Sequence, residues 1–217
     1  IQNPYLPDNP DEKISFVDVL LGLKEEPNID LYVTGSNSRM LSMDILTEFK
    51  DRGEEIRVNP LTYDEFVSAY QGGSRLAWTE FMMYGGMPFV MHKDGHAEKA
   101  AYLQGLFEKT YITDVIERNQ LKASKNVLED LLNYLASSVG SLTNATRLEN
   151  TFKSIKKQNI AHQTISAYID HFIDAFIIRK AERYDIKGRK YIGAQQKYFF
   201  TDVGLRNARL NFRQQEE

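Results

Sequence analysis

Apolar residues recur along this chain with two different periods, and the change from one to the other sets the expected elements. Residues 15–24, SFVDVLLGLK, place Phe16, Val17, Leu20, Leu21 and Leu23 on roughly one helical face behind Ser15 as N-cap. The run Leu31, Tyr32, Val33 then predicts a buried strand over 29–34 that empties into Thr34, Gly35, Ser36 and Asn37. The helical period returns with Met40, Leu41, Ile45, Leu46 and Phe49, giving a helix over about 38–50 that Gly53 ends. Residues 54–58 alternate as a short strand stopped by Asn59 and Pro60. This α-β-α-β order predicts an α/β fold class at the start of the chain, a remnant of a parallel sheet.

From Thr62 onward the helical period dominates. Helices are expected over 62–70, with Thr62 as cap and Glu65 at the capping-box position, over 75–84, and, after a Gly85-Gly86-Met87-Pro88 break, over about 96–119. Three more fit 126–138, 144–156 and 162–175, and two strand-like runs follow within 175–185 and 196–202, joined by the basic loop Lys187-Gly188-Arg189-Lys190. Three helices followed by a hairpin is the order of a winged helix, a helix-turn-helix variant. The segment from Val203 starts another amphipathic helix. The turn-rich opening and the uncapped end lead us to expect a piece of something longer, organised as 1–60, 61–122 and 123–217.

Composition narrows the chemistry. No apolar run approaches the roughly 18 residues that span a bilayer, so no membrane partner is expected and the cytoplasm is the default compartment. The absence of cysteine excludes disulfide frameworks and thiolate chemistry. The net charge of -3 hides an asymmetry: residues 1–139 carry 13 Lys and Arg against 22 Asp and Glu, whereas residues 140–217 carry 14 against 8. A basic half attracts phosphate backbones, or it attracts the acidic half.

Each candidate site has two readings. At the strand end, Thr34, Ser36 and Asn37 could hydrogen-bond a terminal phosphate or an attacking water, and Ser36 or Asn37 could equally cap the following helix. Arg52 could serve as an arginine finger or be a solvated charge beside Glu54 and Glu55. On the third helix of the winged-helix order, Gln163, Thr164, Ser166 and His171 occupy the positions that would read base edges, with Lys187, Arg189 and Lys190 on the wing and Lys153, Lys156 and Lys157 ahead of the helix. Against this, Asp170 and Asp174 on the same helix repel phosphate, and such modules also serve for protein docking. His92 and His96 have i, i+4 spacing, but Lys93-Asp94-Gly95 between them reads as a loop and no Glu follows in the His-Glu-x-x-His manner, so the four histidines are read as solvated or capping groups. No Gly-x-x-x-x-Gly-Lys-Ser/Thr phosphate loop and no apolar strand ending in Asp-Glu occur, so this chain alone is not expected to bind or hydrolyse a nucleotide well.

Five spaced stretches, DLYVTGSNSRMLS, DRGEEIRVNPLTYDEF, YGGMP, YITDVIERN and KYFFTDVGLRNARLNFRQQEE, together resemble the predicted AAA+ superfamily ATPases of prokaryotes. That family joins a P-loop ATPase core to a C-terminal winged-helix region. The resemblance implies that ATP and Mg2+ are bound by a longer parent protein, whose phosphate loop precedes Ile1. It places the sensor strand on residues 30–37, with Thr34, Ser36 and Asn37 as the polar sensors. The arginine corner falls on Asp51 and Arg52, Asp51 standing where the family pattern shows glycine. DNA and further copies of the protein are the open partners.

Overall fold

The computed structural model describes residues 16–34, 54, 56–112, 115–116, 125–182 and 195–213. The chain divides into two compact units, 1–57 and 58–217. In the first, α1 (Phe16–Lys24) forms where the helical period predicts it and buries Leu20. Residues 29–34 and the described part of 54–58 do not form the expected strands. A parallel strand takes its order from neighbours on both sides, and no described segment pairs with either stretch; Tyr32 is 82% exposed and Ile56 75%. A parallel sheet is therefore absent among the described residues, and the described chain is mostly helical with one small antiparallel sheet. The helix expected over 38–50 lies outside the described residues.

The second unit follows the sequence periods closely. Its α-helices are α2 (Tyr63–Ala69), α3 (Ser74–Tyr84), α4 (Gly95–Leu106), α5 (Lys125–Ser137), α6 (Ala145–Thr151), α7 (His162–Asp174) and α8 (Val203–Arg209). The capping box of α2 is complete: the Thr62 N–H donates to Glu65 Oε2 at 2.8 Å, and the Glu65 N–H donates to Thr62 Oγ1 at 3.4 Å. Asn144 caps α6 by accepting from the Arg147 N–H at 2.8 Å. Helix α5 buries Leu128, Leu131, Leu132, Leu135 and Ala136, a stripe at helical spacing. It packs there with Ile165, Ile169 and Phe172 of α7 and with Leu103, Leu148 and Leu205 in one core.

Two expected helices change pitch near their ends. The helix predicted over 96–119 is α-helical to Leu106, then makes a π-helical turn over Phe107–Ile112, and that predicted over 144–156 does the same over Phe152–Lys156. In the first, the wider i→i+5 repeat brings Phe107 and Ile112 to the same side, and both are fully buried. An α-helix would point them well apart.

The expected hairpin is present in shorter form. Strands β1 (Ile178–Ala181) and β2 (Lys197–Phe200) pair antiparallel with Ile178 opposite Phe200 and Ala181 opposite Lys197. Just ahead of β2, Thr143 and Gln196 exchange backbone hydrogen bonds of 2.9 and 2.8 Å, and the Gly140 N–H donates to the Tyr198 carbonyl at 3.2 Å. The link between α5 and α6 thus runs along the free side of β2. Tyr198 is buried there and its hydroxyl donates to Gln196 Oε1 at 2.9 Å.

The tail helix α8 is held by the end of α3. Asp202 accepts from the Leu205 N–H at 2.9 Å as N-cap and from the Gly86 N–H at 2.6 Å, while Asn207 Nδ2 donates to the carbonyls of Met82 and Met83, each at 2.9 Å. The backbones come too close for side chains: a Cβ on Gly204 would stand 1.9 Å from the Tyr84 carbonyl oxygen, and one on Gly86 2.1 Å from that of Leu61. Burial pushes the Asp202 carboxyl above the ordinary carboxylate range, against the Gly86, Leu205 and Gly204 N–H groups that pull it down. Replacing Asp202 by Ala removes a cap worth roughly 0.5–2 kcal/mol. It also leaves the Gly86 N–H without an acceptor at a cost of about 1–3 kcal/mol. Urea denaturation of Asp202→Ala should accordingly show a loss of roughly 1.5–5 kcal/mol; a midpoint equal to wild type would remove the junction from this role.

Burial and the nearby Asp170 carboxylate push the Tyr198 hydroxyl up to about 12, above the value of about 10 of an exposed tyrosine. The raised value favours the neutral phenol in the fold, so the stability it contributes is complete below pH 10 and is lost as pH rises towards 12. Tyr198→Phe should flatten the fall in stability over that alkaline window in denaturation curves taken at several pH values, and an identical slope in both proteins would contradict the assignment.

Candidate functional site

Three surfaces bear on the candidate sites. The first is α7. Gln163, Ser166 and Asp170 share its exposed face at i, i+3 and i+7 spacing, while Ile165, Ile169 and Phe172 face the core. Thr164 and His171 sit on the boundary between the faces, half-buried. Of the residues the sequence selects for nucleic-acid contact, Gln163 and Ser166 are therefore presented together with Thr164 beside them; Lys187, Arg189 and Lys190 lie outside the described residues. The turn ahead of α7 exposes Lys153, Lys156 and Lys157. Lys156 is engaged by Asp130 at 2.8 Å, whereas Lys153 and Lys157 pair with no acid among the described residues. His162 Nδ1 lies 3.1 Å from Glu149 Oε2, tying the start of α7 to α6.

The second is the 29–34 segment of the first unit, where a strand end is expected. Thr34 is exposed in an extended stretch without regular pairing, and Ser36, Asn37 and Arg52 lie outside the described residues.

The third surface has no counterpart in the sequence expectations. Helix α5 presents Asp130, Asn133, Tyr134 and Ser137 along one face, and these meet the π-helical turn at Phe152–Lys156 and the end of α8 to line a cleft of about 340 Å3. A neighbouring cleft of about 270 Å3 is walled by the other π-helical turn through Phe107 and Glu108. Arg209 and Asn133 line both. The Arg209 guanidinium donates to Asn133 Oδ1 from Nε at 3.1 Å and from Nη2 at 2.7 Å, and lies 5.4 Å above the Phe107 ring. Burial lowers its pKa, while Glu129, Glu108 and Asp130 oppose that shift. The three cations of the larger cleft, Lys156, Arg209 and Arg213, outweigh its one carboxylate, Asp130; the smaller holds Glu108 and Glu129 against Arg209. The sequence offered a faint signal: α5 carries polar residues at 130, 133, 134 and 137, opposite its leucine stripe, but their partners lie in distant segments.

Among the described residues no group of three or more His, Cys, Asp or Glu is placed to hold a metal ion, and no helix is long and apolar enough to cross a membrane.

Among the described residues the protein is mostly helical with one small two-stranded antiparallel sheet. Residues 75–216 match the family described as a domain of unknown function, DUF8612, and the chain belongs to that family. It is 34% identical over 204 residues to an uncharacterized protein of Haemophilus influenzae, covering 90% of this chain and 50% of that protein. It is 24% identical over 199 residues to an uncharacterized protein of Methanocaldococcus jannaschii, covering 86% of this chain and 44% of that one. The chain thus spans about half the length of the curated relatives it matches. No solved structure matches it.

Proposed function

We propose that the chain is part of a P-loop ATPase of the AAA+ superfamily, in which residues 123–217 form a winged helix that engages DNA. In the complete protein the 29–34 segment would be a strand of the parallel sheet, Ser36 or Asn37 would orient the attacking water, Thr34 would contact the nucleotide and Arg52 would stabilise the transferred charge. ATP and Mg2+ belong to that complete protein, since this chain carries no phosphate loop of its own.

The observation that supports the winged-helix part is the Thr143–Gln196 bridge beside β2. It adds to the order of three helices and a hairpin a single backbone bridge, in the link between the first and second helices, where a winged helix would place a further short strand. The exposed Gln163 and Ser166 on α7, with Lys153 and Lys157 ahead of it, supply base-edge and phosphate contacts in the positions that mode uses. One observation favours a second reading, a protein-docking module: Asp170 shares the exposed face with Gln163 and Ser166 and would repel a phosphate backbone.

Two measurements test the proposal. In the complete protein, Ser36→Ala or Asn37→Ala should lower ATP turnover by roughly 100-fold while leaving the thermal unfolding curve in place; full turnover in both variants would sink the ATPase assignment. Retention on duplex DNA should fall steeply with salt and weaken further in a Lys153→Glu, Lys157→Glu protein. Absence of any retention at low salt would hand the module to the docking reading.

A further inference from the structure

The larger cleft is built from three separate elements, and its two rims are held by unusual backbone. On one side the π-helical turn Phe152–Lys156 ends in Lys157, a non-glycine residue at φ 53°. On the other, Asn211 and Phe212 are consecutive left-handed residues at φ 55° and 53°, and they deliver Arg213 to the opposite rim. Side chains in this region are few and mostly Asn, Asp or His when not glycine, and strained backbone of this kind persists where surrounding structure fixes it, often beside binding sites. π-helical turns concentrate at such sites too.

The floor of the cleft is apolar, from Phe152, Leu210 and the Tyr134 ring, with Ile155 standing 72% exposed at the edge. Its rim is cationic. Asp130 is satisfied by Lys156, and Arg209 is fixed on Asn133, while Arg213 makes no ion pair among the described residues. The volume of about 340 Å3 falls at the lower end of the range of roughly 300–1,000 Å3 in which ligands bind.

We propose that this cleft binds a short acidic segment of a partner protein, one that alternates carboxylate and large apolar side chains. The carboxylates would meet Arg213 and Lys156, and the apolar side chains would cover Ile155 and reach Phe152 and Leu210. A nucleic-acid backbone suits it less well, because Asp130 stands among the cations and Phe152, Ile155 and Leu210 give a phosphate nothing to bond. The inference does not depend on the nucleotide or DNA readings above, since neither α7's exposed face nor the 29–37 segment takes part.

The test uses the whole chain and a short fluorescein-labelled peptide that alternates Glu with Leu and Phe, followed by fluorescence polarisation. The peptide should bind, its counterpart with Lys in place of Glu should not, and both Arg213→Glu and Ile155→Ser should weaken binding by roughly tenfold. Both altered residues are exposed, and circular dichroism of the two variants checks that they fold. Equal binding of the lysine peptide, or unchanged affinity in both variants, overturns the proposal. So does duplex DNA that binds through Arg213 in place of the peptide. Self-association of the chain that Arg213→Glu abolishes would assign the cleft to a second copy and would overturn the partner reading as well.

Discussion

A single buried carboxylate ties together parts of the second unit that are 116 residues apart in sequence. Asp202 satisfies two N–H groups that burial would otherwise leave without a partner, one at the start of α8 and one in the turn after α3. Everything around it depends on close approach of bare backbone. Gly86 lies against the Leu61 carbonyl and Gly204 against that of Tyr84, and Asn207 reads the last carbonyls of α3. Because α8 also packs on α4 and α5, the same junction fixes the end of α8, and with it the position of Arg209 between the two clefts.

The sequence made local features legible and tertiary ones not. The capping box at Thr62 and Glu65, the cap at Asn144 and the leucine stripe of α5 depend on residues within one or two turns, so the helices of the second unit fall where periodicity puts them. The π-helical turns were missed because an apolar residue at i+5 reads as a break in an α-helical stripe rather than as a wider turn. The strands at 29–34 and 54–58 were read from composition, yet a strand exists only through its neighbours, and none of the described segments supplies them. The glycines of the YGGMP stretch were read as a break between helices; their partner, Asp202, could not be named from spacing.

Of the candidate sites, the α7 face was the most accessible to sequence reasoning. Helical spacing alone puts Gln163, Ser166 and Asp170 together, which is what the fold presents. The cleft beside α5 was invisible because its charges come from α5, from a turn after α6 and from the end of α8. Its three cations, Lys156, Arg209 and Arg213, come from segments far apart in sequence, so no single charge run marks the cleft. The two surfaces also differ in chemistry: α7 offers neutral polar groups with one acid, while the cleft offers cations over an apolar floor.

The junction also sets an order of events in time. Helix α8 is only seven residues long, far below the length at which a helix holds itself together in water, and its cap depends on Gly86 already standing at the end of α3. During synthesis α3, α4 and α5 emerge first, yet the core they share with Leu205, Ala208 and Phe212 stays open until those residues leave the ribosome. Closure of contacts this distant in sequence is slow relative to helix formation. The parts of the core that Leu205, Ala208 and Phe212 cover therefore stay open until the last segment of the second unit is made, even after α7 has emerged to meet α5.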